Sequence, residues 1–234
     1  MFARRIVVIL LFDFVALMSG CQKSKAPAAT APIPPQAQSQ PVVSQQPSPG
    51  ASQVSPPTAA ELREVIARIY KNAVTVDASR HDIFILGDFN GDNSQDIAIV
   101  VRPVQGMLAE VNSEYANWIL EDPISVGEFA AAKVAHSSKD DAPTVVHSSD
   151  ILLAVVHGYQ PAGWRNPKAT QTYLLKNAVG DKLEVLRARS LISETSDRKK
   201  LPPLRGDVIR ETLATKPGFL YWNGAKYAWR RSVE

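Results

Sequence analysis

Cys21 is the only cysteine in 234 residues, so no disulfide can form within the chain and the folded part must rely on its core. Long apolar runs are scarce too: the N-terminal run Ile6 to Met18 is too short to span a bilayer comfortably, against the roughly 20 residues a span needs. Neither sign of charge dominates. The 26 Lys and Arg against 23 Asp and Glu leave +3, which becomes +2 once residues 1–20, with Arg4, Arg5 and Asp13, are set aside. That excludes the strongly basic balance of a nucleic-acid-binding chain. Aromatic residues are absent from Lys23 to Thr58, which is Pro, Gln, Ala and Ser with hardly a charge. Such a stretch cannot bury enough apolar surface to offset the entropy of ordering, so it reads as a disordered tether. Its roughly 36 residues span about 30 to 36 Å on average if flexible, and up to about 110 Å if stiffened toward polyproline geometry.

What is present begins with an address. Arg4 and Arg5 precede the apolar run, and small residues end it, the pattern of a secretory signal peptide over residues 1–20. Met18-Ser19-Gly20-Cys21 resembles the lipobox of bacterial lipoproteins. The resemblance implies that Cys21 is lipidated and becomes the new N-terminus, with residues 21–58 as lipidated cysteine and tether. Members of that class carry three acyl chains, and one chain alone gives only marginal membrane binding. Gln22 stands where some lipoproteins carry the Asp that retains them at the inner membrane, so the expected location is the outer membrane.

Residues 59–234 suffice for one domain with its own core. They are organised around Gly87-Asp88-Phe89-Asn90-Gly91-Asp92-Asn93-Ser94-Gln95-Asp96, held between Ile83–Leu86 and Ile97–Val101. Oxygen-bearing side chains fall on every second position, at Asp88, Asn90, Asp92, Ser94 and Asp96. Three carboxylates crowded in one curled loop repel each other unless a hard cation sits among them, and many protein oxygens suit calcium. An EF-hand is excluded by spacing, since Gly91 is fourth in the loop and the twelfth residue is Ile99. The flanks are short and β-branched, which predicts a hairpin of buried strands. The loop resembles the calcium loops of FG-GAP, or VCBS, repeats over residues 86–100. That resemblance implies side-chain ligands from Asp88, Asn90, Asp92 and Asp96 and a backbone carbonyl from Ser94. Asn93 stands where the family often has Gly, and Asn also tolerates a left-handed backbone. No second copy of the loop occurs, so a repeat propeller is not expected.

Around this hairpin the expected fold class is α+β, mainly antiparallel sheet built from hairpins, with an N-terminal helix and one or two more. Leu62, Val65, Ile66 and Ile69 predict an amphipathic helix over 59–71 after Pro56-Pro57-Thr58. Leu108, Val111, Tyr115, Trp118 and Ile119 predict a second over 107–120, and Ser125 to Glu128 has capping-box spacing for a short third. His136 to His147, with Asp140 and Asp141 between, reads as a solvated loop. Ile151 to Val156 reads as a central strand. Thr172 to Ala178 and Lys182 to Arg187 read as a hairpin around Val179-Gly180-Asp181, and Val208 to Leu213 as a further strand. Asn223-Gly224 predicts a type I′ turn joining Gly218–Trp222 to Ala225–Trp229, with Leu220, Trp222, Tyr227 and Trp229 on one face closing the core.

Two further motifs need weighing. An apolar strand followed by His157-Gly158 resembles the oxyanion-hole strand of α/β-hydrolases, which also need a Gly-x-Ser-x-Gly elbow that this chain lacks. Arg205-Gly206-Asp207 spells an integrin-binding tripeptide, but Gly-Asp opening a strand explains it as well; Arg198-Lys199-Lys200 beside it reads as a solvated basic loop. The expected function is an envelope-anchored, non-catalytic binding or structural lipoprotein with one structural calcium loop, partnered by the membrane and by a cell-wall or envelope protein, with no nucleic acid. The alternative is an envelope hydrolase using the His157 region.

Overall fold

The computed structural model describes residues 55–132, 143–195, 198 and 201–232. The signal peptide, Cys21, most of the tether, the His136–Asp141 stretch and Lys199-Lys200 lie outside the described residues. The fold class is α+β, with two sheets that pack face to face and helices on their outer sides.

Helix α1 (Ala59–Tyr70) starts where the sequence signals it. Thr58 accepts from the Glu61 amide, and the Glu61 carboxylate reaches back to the Thr58 amide at 2.8 Å, a complete capping box. Leu62, Val65, Ile66 and Ile69 are the buried stripe, and Lys71 ends the helix in a left-handed conformation. The stripe packs on the first sheet against Ile97, Ile99, Val101, Leu152, Ala154 and Val156. Tyr70 fixes the contact, because its buried hydroxyl donates to the Tyr173 carbonyl at 2.8 Å.

The first sheet runs β1 (Val74–Val76), β3 (Asp96–Pro103), β5 (Leu152–Val156), β6 (Thr172–Lys176), β4 (Ile119–Glu121), and β2 (Phe84–Gly87) shares the outer edge of β3 with β1. β3 and β5 are buried on both faces, which is why their sequences are continuous apolar runs instead of alternating ones. The second sheet is ordered β10 (Tyr227–Arg231), β9 (Lys216–Trp222), β8 (Val208–Leu213), β7 (Glu184–Leu186), all antiparallel. Between the sheets Ala98, Val100, Leu153, Val155 and Leu175 meet Ile209, Leu213, Leu220, Tyr227 and Trp229. On the outer face of the second sheet, Val208, Phe219, Tyr221 and Ala228 are covered by Val126 of α3 (Pro123–Ala132), by Leu191 of α4 (Ala188–Glu194), and by Leu201 and Leu204.

Several expectations are corrected. The helix over 107–120 is one turn of 3-10 helix (Gln105–Met107) and α2 (Leu108–Val111), followed by a loop and by β4. Asn112 stops it. The Asn112 side chain donates to the carbonyls of Leu108 and Val146 and accepts from the Val146 amide at 2.7 Å, trading helix continuation for a bond to a distant segment. Trp118 is then buried while Tyr115 is 94% exposed, and Ile119 joins a strand parallel to β6. That parallel pair is an exception to the antiparallel plan. α3 begins at Pro123, capped by Asp122, whose carboxylate accepts from the Ile124 amide at 3.0 Å, so Ser125 lies inside the helix.

The hairpin predicted over 172–187 does not form. β6 already has β5 on one side and β4 on the other, so no edge remains for β7, which pairs with β8 in the other sheet. The residues between cross from sheet to sheet, burying Ala178 and Leu183 on the way. The turn at Asn223-Gly224 is four residues long, Asn223 to Lys226, with only Gly224 at positive φ, and the Asn223 side chain accepts from the amides of Ala225 and Lys226. Trp222 opposes Tyr227 instead of Ala225. A shift of two residues leaves each side chain on its expected face, so Leu220, Trp222, Tyr227 and Trp229 still point at the core.

Candidate functional site

The loop between β2 and β3 is a hairpin turn, as its flanks predict: Gly87 opposes Asp96, and Phe84, Ile85 and Leu86 pair with Ile99, Ala98 and Ile97. Within it the chain coils around the Asp88 carboxylate. Oδ1 accepts from the amides of Gly91 and Asp92 at 2.8 and 3.0 Å, and Oδ2 from that of Asn93 at 3.0 Å. The next polar residues repeat the device over shorter spans. Asn90 Oδ1 accepts from the Asp92 amide, Asp92 Oδ1 from the Ser94 amide at 2.7 Å, and Asp92 Oδ2 from the Asn90 side-chain amide at 2.9 Å. Asn93 takes the left-handed backbone its side chain tolerates, at φ 65°.

Asp96 differs from the others because it is fully buried. Its Oδ2 accepts from the amides of Phe89 and Asn90, and its Oδ1 from the Gly158 amide at 2.6 Å. Burial pushes its pKa up to about 7, and the charges of Asp92 and Asp88 add to the rise, against the bonds from Gly158 and Phe89 that lower it. The molecule thus keeps a carboxylate where desolvation and two neighbouring anions both oppose its charge.

A segment absent from the sequence reading of this site completes it. The Asp207 amide donates to the Asp88 carbonyl at 2.7 Å, and the Asp88 amide donates to Asp207 Oδ2 at 3.2 Å. Gly91, at φ +78°, lies so close to this strap that a Cβ on it would fall 2.0 Å from the Arg205 carbonyl oxygen, and one on Gly206 would fall 2.2 Å from the Asp88 carbonyl. Arg205 in turn donates to the Asn223 carbonyl at 3.3 Å, with its guanidinium 5.9 Å from the Trp222 ring. Arg205-Gly206-Asp207 therefore opens β8 and straps the loop, with its Asp turned inward. The tripeptide itself was the only signal for this role.

The residues fit a cation by donor chemistry. A carboxylate has about four acceptor sites, of which amides and side chains take three on Asp88, two on Asp92 and three on Asp96, so each can still accept. Asn90 Oδ1 retains a site in the same way. All these donors are oxygens, the set a hard ion prefers. Among the described residues no three His, Cys, Asp or Glu side chains are already gathered as a ligand group. The carboxylates are instead each engaged with loop amides.

His157, at the end of β5, is 1% exposed. Its Nε2 stands 2.8 Å from the Tyr227 hydroxyl, and the ring packs against Tyr173, Trp222 and Tyr227 with centroids 5.2 to 5.8 Å away. Burial lowers its pKa to about 4, so the imidazole is neutral at physiological pH. Tyr173 knits the same cluster, its hydroxyl accepting from Gln171 at 2.9 Å and from the Trp222 indole at 3.0 Å. This is a packed, hydrogen-bonded junction of the two sheets, and among the described residues the bond to the imidazole comes from a buried tyrosine and not from a serine, threonine or cysteine. Trp164 is also a packing residue, 1% exposed, with the Arg165 guanidinium 4.2 Å above its ring. Glu121 is buried and links the sheets by accepting from the Tyr227 amide at 2.9 Å. The chain matches no protein-family model, no curated protein and no solved structure.

Proposed function

We propose that the protein is an envelope-anchored, non-catalytic lipoprotein, held at the outer membrane by lipid on Cys21, whose domain serves as a binding or structural module stabilised by one calcium ion in the β2–β3 loop. The observation that carries the calcium reading is the set of oxygen donors on Asp88, Asn90, Asp92 and Asp96 around one hairpin turn, together with a buried Asp96 whose charge is opposed by burial and by Asp92 and Asp88. The Ser94 carbonyl is the further ligand that the FG-GAP-like spacing implies. Calcium supplies positive charge that offsets this repulsion, and the chain's own residues hold the turn, bury Phe89 between the sheets and bond the strap at Asp207. The ion's role is structural, and the partner is a cell-wall or envelope protein.

Thermal unfolding with calcium and with chelator tests this. Calcium at a hundred times its dissociation constant adds about 2.7 kcal/mol if the unfolded chain does not bind it. At roughly 2 to 4 °C for each kcal/mol, the midpoint should rise by about 5 to 11 °C. Asp92→Ala should lose most of that increment, and Asp92 is exposed, so its loss disturbs no packing. An identical wild-type midpoint in both buffers, with no calorimetric binding at millimolar calcium, would falsify the calcium reading.

A further inference from the structure

The near-neutral total charge conceals two halves of opposite sign. Residues 55–181, which contain every strand of the first sheet, have 10 Lys and Arg against 16 Asp and Glu, a net of −6; residues 182–234, which contain every strand of the second, have 12 against 6, a net of +6. The boundary coincides with the crossover between the sheets, so the segments that supply the two sheets carry opposite net charge, although α3 of the acidic segment also covers part of the second sheet.

On the outer side of the second sheet, within the basic half, Arg187 and Arg189 are exposed, and so is Arg198, whose carbonyl accepts from the amide of Leu201 in the same covering layer. Arg187 and Arg189 belong to the start of α4, part of the layer over the outward face of the second sheet. The four described acids of this half are engaged elsewhere. Glu194 and Glu184 hold Arg210, at 2.7 and 3.9 Å; Asp207 accepts from the Asp88 amide; Glu211 is 3% exposed and accepts from the Thr212 amide. These three cations therefore have no described acid of their own half left to neutralise them.

We propose that the outer layer of the second sheet is an electrostatic docking surface for a bilayer of anionic phospholipid. This rests on the lipid-anchor reading, since a tether keeps the domain near a membrane and makes even weak attraction effective. Each Lys or Arg brought within a screening length of an anionic bilayer multiplies affinity by roughly five. The acidic half is repelled by the same surface, so docking orients the domain with its second sheet toward the lipid.

The test uses the full mature chain carrying Cys21→Ser, so that no acyl chain contributes, and measures flotation with vesicles of phosphatidylcholine alone or with about 30% phosphatidylglycerol. Expected are at least about tenfold more partition onto the anionic vesicles at low salt, and loss of that preference at about 0.5 M salt, where the screening length is only a few ångströms. Arg187→Glu combined with Arg189→Glu should lower partition at least about tenfold. Arg198→Glu alone provides a second variant if the first does not fold, as judged by circular dichroism. Equal partition onto neutral vesicles, insensitivity to salt, or folded variants that bind like the parent would overturn the proposal. So would binding to polyphosphate without binding to vesicles, which would make the partner an anionic polymer. Fatty-acid labelling of the unmodified protein reports on the anchor alone, so failure of the anchor and failure of the surface are told apart.

Discussion

Glu121 shows how one side chain can set the response of the fold to pH. Its Oε2 accepts from the Tyr227 amide while its Oε1 is buried without a partner, and burial pushes its pKa up to about 6, against the bond from Tyr227 and the charge of Lys226. A carboxyl raised in the folded state binds its proton more tightly there than in the unfolded chain. Its contribution is therefore complete below about pH 4.5 and is lost as pH rises through about 6, by about 2 kcal/mol. Glu121→Gln should remove that loss, so the difference between variant and parent in thermal unfolding should grow from pH 4.5 to 6.5 in favour of the variant. His157 works in the opposite sense, its lowered pKa adding stability as pH rises from about 4, but it is common to both proteins and cancels in the difference. A flat difference profile would remove Glu121 as the cause. Gly91 makes a second prediction at this scale. Its positive φ and the close Arg205 carbonyl leave no room for a Cβ, so Gly91→Ala should cost about 1 to 3 kcal/mol in chemical denaturation, whereas Asn93→Gly, at a similar φ, should change little.

Among the elements, the strap carries the clearest prediction. Asp207→Asn keeps an oxygen for the Asp88 amide and should be nearly neutral, while Asp207→Ala leaves that amide without its side-chain partner and should cost about 1 kcal/mol. Equal losses in both variants, measured by urea unfolding, would mean that the bond does not hold the loop. The strap also marks where legibility ended. α1, β3 and β5 could be read from sequence because the pattern of each element is complete within itself: a capping box with a four-residue stripe, or an unbroken apolar run bounded by turns. β4 could not, because a three-residue strand carries little period of its own, and β7 could be read as a strand but not given its partner, which lies in the other sheet. The apolar positions of 107–120 matched a helix, but a bond from Asn112 to Val146, 34 residues away, decided otherwise. In the loop, alternation displayed the donors Asp88 to Asp96, while the amides of Gly158 and Asp207 come from elsewhere in the chain and have no local signature.

For the whole molecule, the question is how much of the N-terminal segment the domain needs, and the contacts of the first described residues give a sharp answer. The Ser55 carbonyl accepts from Arg165 Nη2 at 2.9 Å, and Arg165 also binds the Glu61 carboxylate, the residue that closes the capping box with Thr58. The domain's contacts thus begin a few residues ahead of α1, within what composition alone assigns to the tether. A chain beginning at Ser55 retains all of them and should melt within about 2 °C of one beginning at Cys21, since each kcal/mol is worth roughly 2 to 4 °C at this size. One beginning at Ala59 loses the N-cap, which typically costs about 1 kcal/mol, and leaves Glu61 without Thr58. Its midpoint should fall by a further 2 to 4 °C or so. Thr58→Ala in the longer chain should reproduce most of that fall, which separates loss of the cap from loss of residues 55–57. If the chain beginning at Ser55 were instead strongly destabilised, residues before 55 would have to pack on the domain, and the tether could not act as a free spacer between lipid and fold.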